Sequence, residues 1–166
     1  MRTRLREFGW TMNKDLKELL LAFNAHGVEY LVVGGYAVGV HAEPRATKDL
    51  DIFIRPDPQN SVAVYRALAA YGAPLKGFSP SDFNDEKGSA FQIGQPPARI
   101  DILQRIDGVG FDEAWEDRIE GLVDNEIPAH VISRKHLIQN KLKVGRAQDT
   151  ADVEALRAAA GESSAG

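Results

Sequence analysis

Tyr30 to Arg55 reads YLVVGGYAVGVHAEPRATKDLDIFIR, and its reading decides the fold. It joins an apolar strand, the Gly34-Gly35 turn, a short connecting segment and a second strand that carries Asp49 and Asp51. Side chains alternate across a strand, so those two carboxylates project from one face while Leu50, Ile52 and Ile54 fill the other. Two carboxylates about 4 Å apart repel by about 4 kcal/mol at an effective dielectric of about 20. The pair therefore needs solvent, a basic partner or a divalent cation, and the cation is the sharpest of these readings.

Upstream, Asn13 is placed to cap a helix whose apolar residues Leu16, Leu19, Leu20 and Phe23 recur at i, i+3, i+4, i+7, with Gly27 to end it. Tyr36 to His41 reads as a short helix after the glycine pair. The strand KDLDIFI stops at Arg55-Pro56, and Asp57-Pro58 supplies an N-cap and a proline at the first position of a helix reaching Tyr71. Residues 77–88, rich in Ser, Asp, Asn and Gly, read as a loop. Ala90 to Ile93 and Arg99 to Leu103, separated by GQPPA, read as a hairpin. A helix carrying Phe111, Trp115 and Ile119 with Asp112 as cap follows, then a strand from Glu126 to Ile132. Two helices close the chain, one capped by Ser133 and one over about Gln148 to Ala159.

These elements predict an α/β (α+β) domain, a mixed sheet flanked by helices. The expected organisation is an N-terminal extension over residues 1–12, one domain over 13–160 and a disordered tail over 161–166. No internal repeat or second core is visible. At 166 residues and 43% hydrophobic content the chain can bury a core without staples.

Composition removes several function classes. There is no cysteine, which excludes disulfides, thiolate metal sites and a cysteine nucleophile. The four histidines, His26, His41, His130 and His136, lack the spacing of a helical metal motif. A net charge of −4 gives no global attraction for polyanions. The basic start lacks the apolar run of a signal peptide and no later run spans a bilayer, so a cytoplasmic protein with no membrane partner is expected.

A third carboxylate, Asp101, lies inside the apolar strand Arg99-Ile100-Asp101-Ile102-Leu103. An apolar strand, Gly34-Gly35, the Asp49-x-Asp51 strand and this distant Asp101 together resemble the signature of the DNA polymerase beta-like nucleotidyltransferase superfamily. The sequence is most similar to the bacterial minimal and AbiEii-type nucleotidyltransferases of toxin-antitoxin systems. Arg45-Ala46-Thr47-Lys48-Asp49 fits their Arg-x-Thr-x-Asp lead-in, and Lys141 to Asp149 fits their late Lys-Gly-Arg-x-x-Asp segment. The resemblance covers roughly Leu16 to Leu156. One departure is Gly35, where the superfamily often has serine, so phosphate contacts fall to main-chain N–H groups with Tyr36 or Arg45.

What the resemblance implies is an enzyme that moves a nucleoside monophosphate from a nucleoside triphosphate to an acceptor hydroxyl on tRNA, protein or a small molecule, releasing pyrophosphate. The implied metal ligands and catalytic acids are Asp49, Asp51 and Asp101, around Mg2+ or Mn2+. Gly34, Gly35, Tyr36, Arg45, Thr47, Lys141 and Arg146 are the implied nucleotide contacts. A toxin role with an antitoxin partner, or a homodimer, completes the expectation. Other readings stand beside these. The fold could serve as a catalytically silent nucleotide- or partner-binding module, Arg45 as a surface charge, and Lys141 and Arg146 as a solvated helix face pairing with Asp149.

Overall fold

Amphipathic patterning seats most elements where the sequence puts them. A computed structural model describes residues 5–47, 49–85 and 87–161. Its strands are β1 (Arg6–Glu7), β2 (Tyr30–Val33), β3 (Asp49–Ile54), β4 (Phe91–Ile93), β5 (Arg99–Leu103), β6 (Ile119–Val123) and β7 (Ile127–Val131). Its helices are α1 (Lys14–Ala25), α2 (Gly34–His41), α3 (Pro58–Tyr71), α4 (Phe111–Glu116), α5 (Arg134–Val144) and α6 (Ala147–Ala159). Among the described residues the strands form one seven-stranded mixed sheet in the order β1-β6-β7-β2-β3-β5-β4. Pairs β1/β6, β2/β7 and β3/β5 are parallel; β2/β3, β4/β5 and β6/β7 are antiparallel.

The central strand β2 is apolar on both faces. All four residues of β2 are buried, as a strand covered on two faces requires. On one side α1 lies against α3 and β7; on the other α2 lies on β2 and β3 and meets α5 and α6. Asn13 accepts from the N–H of Asp15 to start α1, and Leu16, Leu19, Leu20 and Phe23 all turn into the core. Each such fully buried side chain stabilises the fold by on the order of 1.5–3 kcal/mol. Asp57 caps α3 through the N–H of Asn60, and Gly72, at φ 96°, ends it in the left-handed conformation that glycine adopts without cost. Ser133 caps α5 through His136 N–H.

Three expectations needed correction. The segment before residue 13 is part of the domain from Arg6 onward, since Arg6 and Glu7 pair with Gly121 and Leu122, and Phe8, Trp10 and Met12 are buried. Gly121 makes this possible, because a Cβ there would strike the Phe8 ring and the Arg6 carbonyl. The helix expected to run through Ile119 stops at Glu116, and Ile119 opens β6 instead. Its cap is Gly110, while Asp112 pairs with Arg55. Apolar residues four apart match a helix stripe, but Ile119, Gly121 and Val123 also alternate, and pairing with β7 over Ile119 to Val123 wins. Finally, the loop over 77–88 contains a 3-10 turn, Pro80–Phe83, with Phe83 buried. Buried Gln104, at the end of β5, donates to the carbonyls of Asp82 and Ser89 and accepts from Asp85 N–H, tying this loop to the sheet. Met1 to Arg4, Lys48 and residues 162–166 of the expected tail lie outside the described residues. No described helix is long and apolar enough to cross a membrane.

Candidate active site

The site begins where β2 gives way to α2. Val33 is extended, Gly34 takes φ 68°, and the helix starts at once with no side chain capping its first N–H groups. A Cβ on Gly34 would collide with the Asp51 carboxylate, and one on Gly35 would lie 2.9 Å from Thr47 Cγ2. The two glycines therefore let the helix start press against β3, leaving backbone N–H groups beside its acidic face. Such a turn suits a phosphate, which takes hydrogen bonds from main-chain donors and favours the positive end of the helix.

The register of β3 and β5 decides the acidic cluster. Asp51 faces Asp101 and Asp49 faces Arg99, so all four side chains share one face while Leu50, Ile52, Ile100 and Ile102 are fully buried on the other. Asp101 thus lies on the same sheet face as Asp49 and Asp51. Burial, the Asp101 charge, a hydrogen bond shared with Asp101 and the Asp49 charge push the Asp51 carboxyl up to about 7. Arg99 Nε, 3.3 Å from Asp101 Oδ1 and 4.0 Å from Asp49 Oδ2, answers part of this charge. The Asp49 Oδ1 atom is buried with no hydrogen-bond partner among the described residues.

As they stand, no three His, Cys, Asp or Glu side chains among the described residues converge to hold a metal ion, and Arg99 contacts both Asp49 and Asp101. The chemistry of the donors nonetheless fits a hard divalent cation. An orphaned buried carboxylate oxygen, and a carboxyl pushed towards neutrality first by burial and then by the charges of Asp101 and Asp49, are the kind of donors that a hard cation satisfies.

The remaining expected residues divide. Tyr36 is buried in α2; burial and the Asp49 charge push its phenol up, and its carbonyl accepts from Trp10 Nε1 at 3.0 Å. Trp10 also packs between Phe8 and Tyr36. Gly9, Trp10 and Thr11 thus form one wall of a cleft of about 440 Å3, opposite Gly35, Tyr36, Gly39 and the loop Pro44 to Thr47. The N-terminal wall escaped the sequence reading; isolated aromatics in a basic segment give no periodic signal.

Lys141 and Arg146 are engaged by acids. Lys141 Nζ, buried, lies 2.8 Å from Asp152 and 3.4 Å from Asp149. Arg146 Nε donates to Asp149 at 2.7 Å, yet its side chain stays 74% exposed. Arg45 Nη1 donates to Asp152 at 2.7 Å. Lys141 and Arg146 still border a second cavity, of about 270 Å3, with Gly34, Asp51 and Arg105. The glycine turn thus has a cleft on each flank, with Arg45 in one and Arg146 in the other.

A parallel-antiparallel sheet with a Gly-Gly helix start facing paired aspartates defines the nucleotidyltransferase fold class. The likeness extends to solved structures: the crystal structure of lincosamide antibiotic adenylyltransferase LnuA, lincomycin-bound, superposes with a TM-score of 0.57 at 18% identity, covering 89% of this chain and 98% of that one. Residues 11–160 match the model of the family described as "Nucleotidyltransferase of unknown function (DUF6036)", and the chain belongs to that family. No curated protein sequence matches the chain.

Proposed function

We propose that this protein transfers a nucleoside monophosphate from a nucleoside triphosphate to an acceptor hydroxyl with release of pyrophosphate. The observation that carries the reading is the pairing of Asp51 with Asp101 directly beside the Gly34 turn, where a Cβ would meet the Asp51 carboxylate. Main-chain N–H groups of Gly34 and Gly35 hold the phosphate tail, with Arg45 and Thr47 at its side. Asp49 and Asp51, with Asp101, would hold Mg2+ or Mn2+. Such an ion supplies charge neutralisation on the phosphate oxygens and lowers the pKa of a bound hydroxyl.

Asp101 orients the acceptor hydroxyl. The hydroxyl oxygen forms a bond to the α-phosphorus and its proton passes to the Asp101 carboxylate as the α–β anhydride bond breaks, and the electron pair leaves with pyrophosphate. Arg99 pairs with Asp101 and Asp49 here, and a bound cation would take over that charge balance. In this class of chemistry the protein mainly positions the two oxygens and balances charge. The acceptor is a hydroxyl of tRNA, protein or a small molecule, and a toxin role is one setting in which such transfer would operate.

The test incubates the protein with α-labelled nucleoside triphosphates, Mg2+ or Mn2+, and pooled tRNA, protein and small-molecule acceptors. Label moves to one class, and Asp51→Ala abolishes the transfer. Transfer by that variant at the wild-type rate would remove Asp51 from the mechanism. Nucleotide binding without any transfer would favour the silent binding module.

A further inference from the structure

Asp149 and Asp152 belong to no proposed nucleotide contact, yet they are among the most buried charged groups in the chain, at 1% and 3% exposure. Asp152 Oδ1 accepts from Arg45 Nη1 at 2.7 Å and from Gln148 Nε2 at 2.9 Å, and Oδ2 pairs with Lys141 Nζ at 2.8 Å. Lys141 reaches on to Asp149 at 3.4 Å, which takes Arg146 Nε at 2.7 Å and the Arg146 N–H at 3.2 Å. Five charges thus form one chain: Arg45, Asp152, Lys141, Asp149, Arg146. The acids and the lysine are inside it and the arginines are at its ends. Burial pushes Asp152 up, but hydrogen bonds from Arg45, Lys141 and Gln148 outweigh it and hold the carboxyl below its ordinary range. Both acids are therefore ionised at neutral pH.

With three cations against two anions, the chain leaves one net positive charge, and its ends are the exposed members. Arg45 is 37% exposed and Arg146 is 74% exposed at the side chain, whereas Lys141 is 9% exposed. A Cβ on Gly35 would lie 3.6 Å from Arg45 Nη2, so the guanidinium held by Asp152 lies beside the helix start. A guanidinium anchored through one edge keeps the other edge's donors in a set direction, which an unanchored arginine would lose entropy to adopt.

We infer that Asp152 is a positioning residue for nucleoside triphosphate binding: it fixes Arg45 beside Gly35, with Lys141 as the buried link that joins Asp152 to Asp149 rather than as a phosphate contact itself. The inference rests on the transferase reading above and assigns α6, remote in sequence from the glycine turn, a part in nucleotide affinity. Arg45 touches the nucleotide; Asp152 acts only through Arg45.

The experiment measures binding of the α,β-methylene analogues of the four nucleoside triphosphates by calorimetry, and KM and kcat wherever transfer is found, for wild type, Arg45→Ala, Asp152→Asn and the double variant. Arg45→Ala weakens analogue binding about tenfold or more, the scale of one lost charge-assisted hydrogen bond. Asp152→Asn weakens it in the same direction, raising KM with kcat little changed, and adds nothing to Arg45→Ala. Asp152→Glu keeps the charge and the Lys141 pairing but displaces Arg45 by about one methylene; it folds and still binds more weakly, which covers the case in which Asp152→Asn does not fold. Wild-type affinity in both Asp152 variants, or effects of Arg45→Ala and Asp152→Asn that add, overturns the inference while leaving the transferase reading intact. Absence of analogue binding by wild type with Mg2+ overturns both.

Discussion

Replacing Asp51 by Asn in metal-free protein separates the acidic cluster's cost from its use. Asp51 is partly buried beside Asp101 and Asp49, and its carboxyl is pushed up to about 7 from an ordinary 3.8. A carboxyl whose folded pKa is raised favours the folded state only while it keeps its proton. Below the ordinary value both states are protonated and the group has no effect. Between there and about 7 the unfolded chain has released a proton that the folded one retains, so stability falls as pH rises. The full difference corresponds to about 4 kcal/mol at about 1.36 kcal/mol per pKa unit. Because Asp51 and Asp101 titrate as a pair, on the order of 2 kcal/mol is the expected share for one substitution. For a chain of this size that is roughly 4–8 °C in melting temperature. Melting of chelator-treated wild type and Asp51→Asn at pH 5, 7 and 8.5 reads it: the variant gains little at pH 5 and most at pH 8.5. Added Mg2+ raises the wild-type midpoint and leaves the variant's unchanged. A variant less stable than wild type at pH 8.5, or a difference that does not grow with pH, would refute the claim that burial and the neighbouring carboxylates raise the Asp51 carboxyl in the folded state.

Two further substitutions test the backbone that frames the site. Gly34→Ala combines a left-handed φ of 68° with a collision against the Asp51 carboxylate, so urea unfolding should show a loss of about 2 kcal/mol or more, and transfer should fail. A wild-type midpoint in that variant would mean the turn does not press on β3. Gly121→Ala places a Cβ against the Phe8 ring and the Arg6 carbonyl, so β1 and the Trp10 wall should detach. Amide exchange should rise across residues 6–12 and spare β2, β3 and β5; unchanged protection over 6–12 would show that Gly121 does not hold the segment.

Much of the fold was legible because its central strands and first helices follow strict periodicities with clear punctuation. Leu16 to Phe23 repeats at helix spacing, Asp49 to Ile52 alternates, and Asp57-Pro58 and Gly72 mark the ends of α3 where the chain turns. Elsewhere the local signal was ambiguous. Phe111, Trp115 and Ile119 fit a helix stripe, but the last of them is claimed by pairing with Val131 across β6 and β7. Arg6 and Glu7 show no alternation at all, and their place depends on a gap at Gly121, more than a hundred residues away.

The sequence by itself determined that a glycine turn precedes an Asp-x-Asp strand and that a third aspartate sits in an apolar strand, because period-two alternation fixes which side chains share a face. Only the tertiary structure decided which face of β5 meets which face of β3, bringing Asp101 level with Asp51 and Arg99 level with Asp49. It also decided that Lys141 is buried between Asp149 and Asp152, and that Asp152 rather than solvent holds Arg45. Strand register and helix docking are set by the sum of long-range burial, and a charged residue's partner is whichever opposite charge that docking leaves beside it when water is excluded.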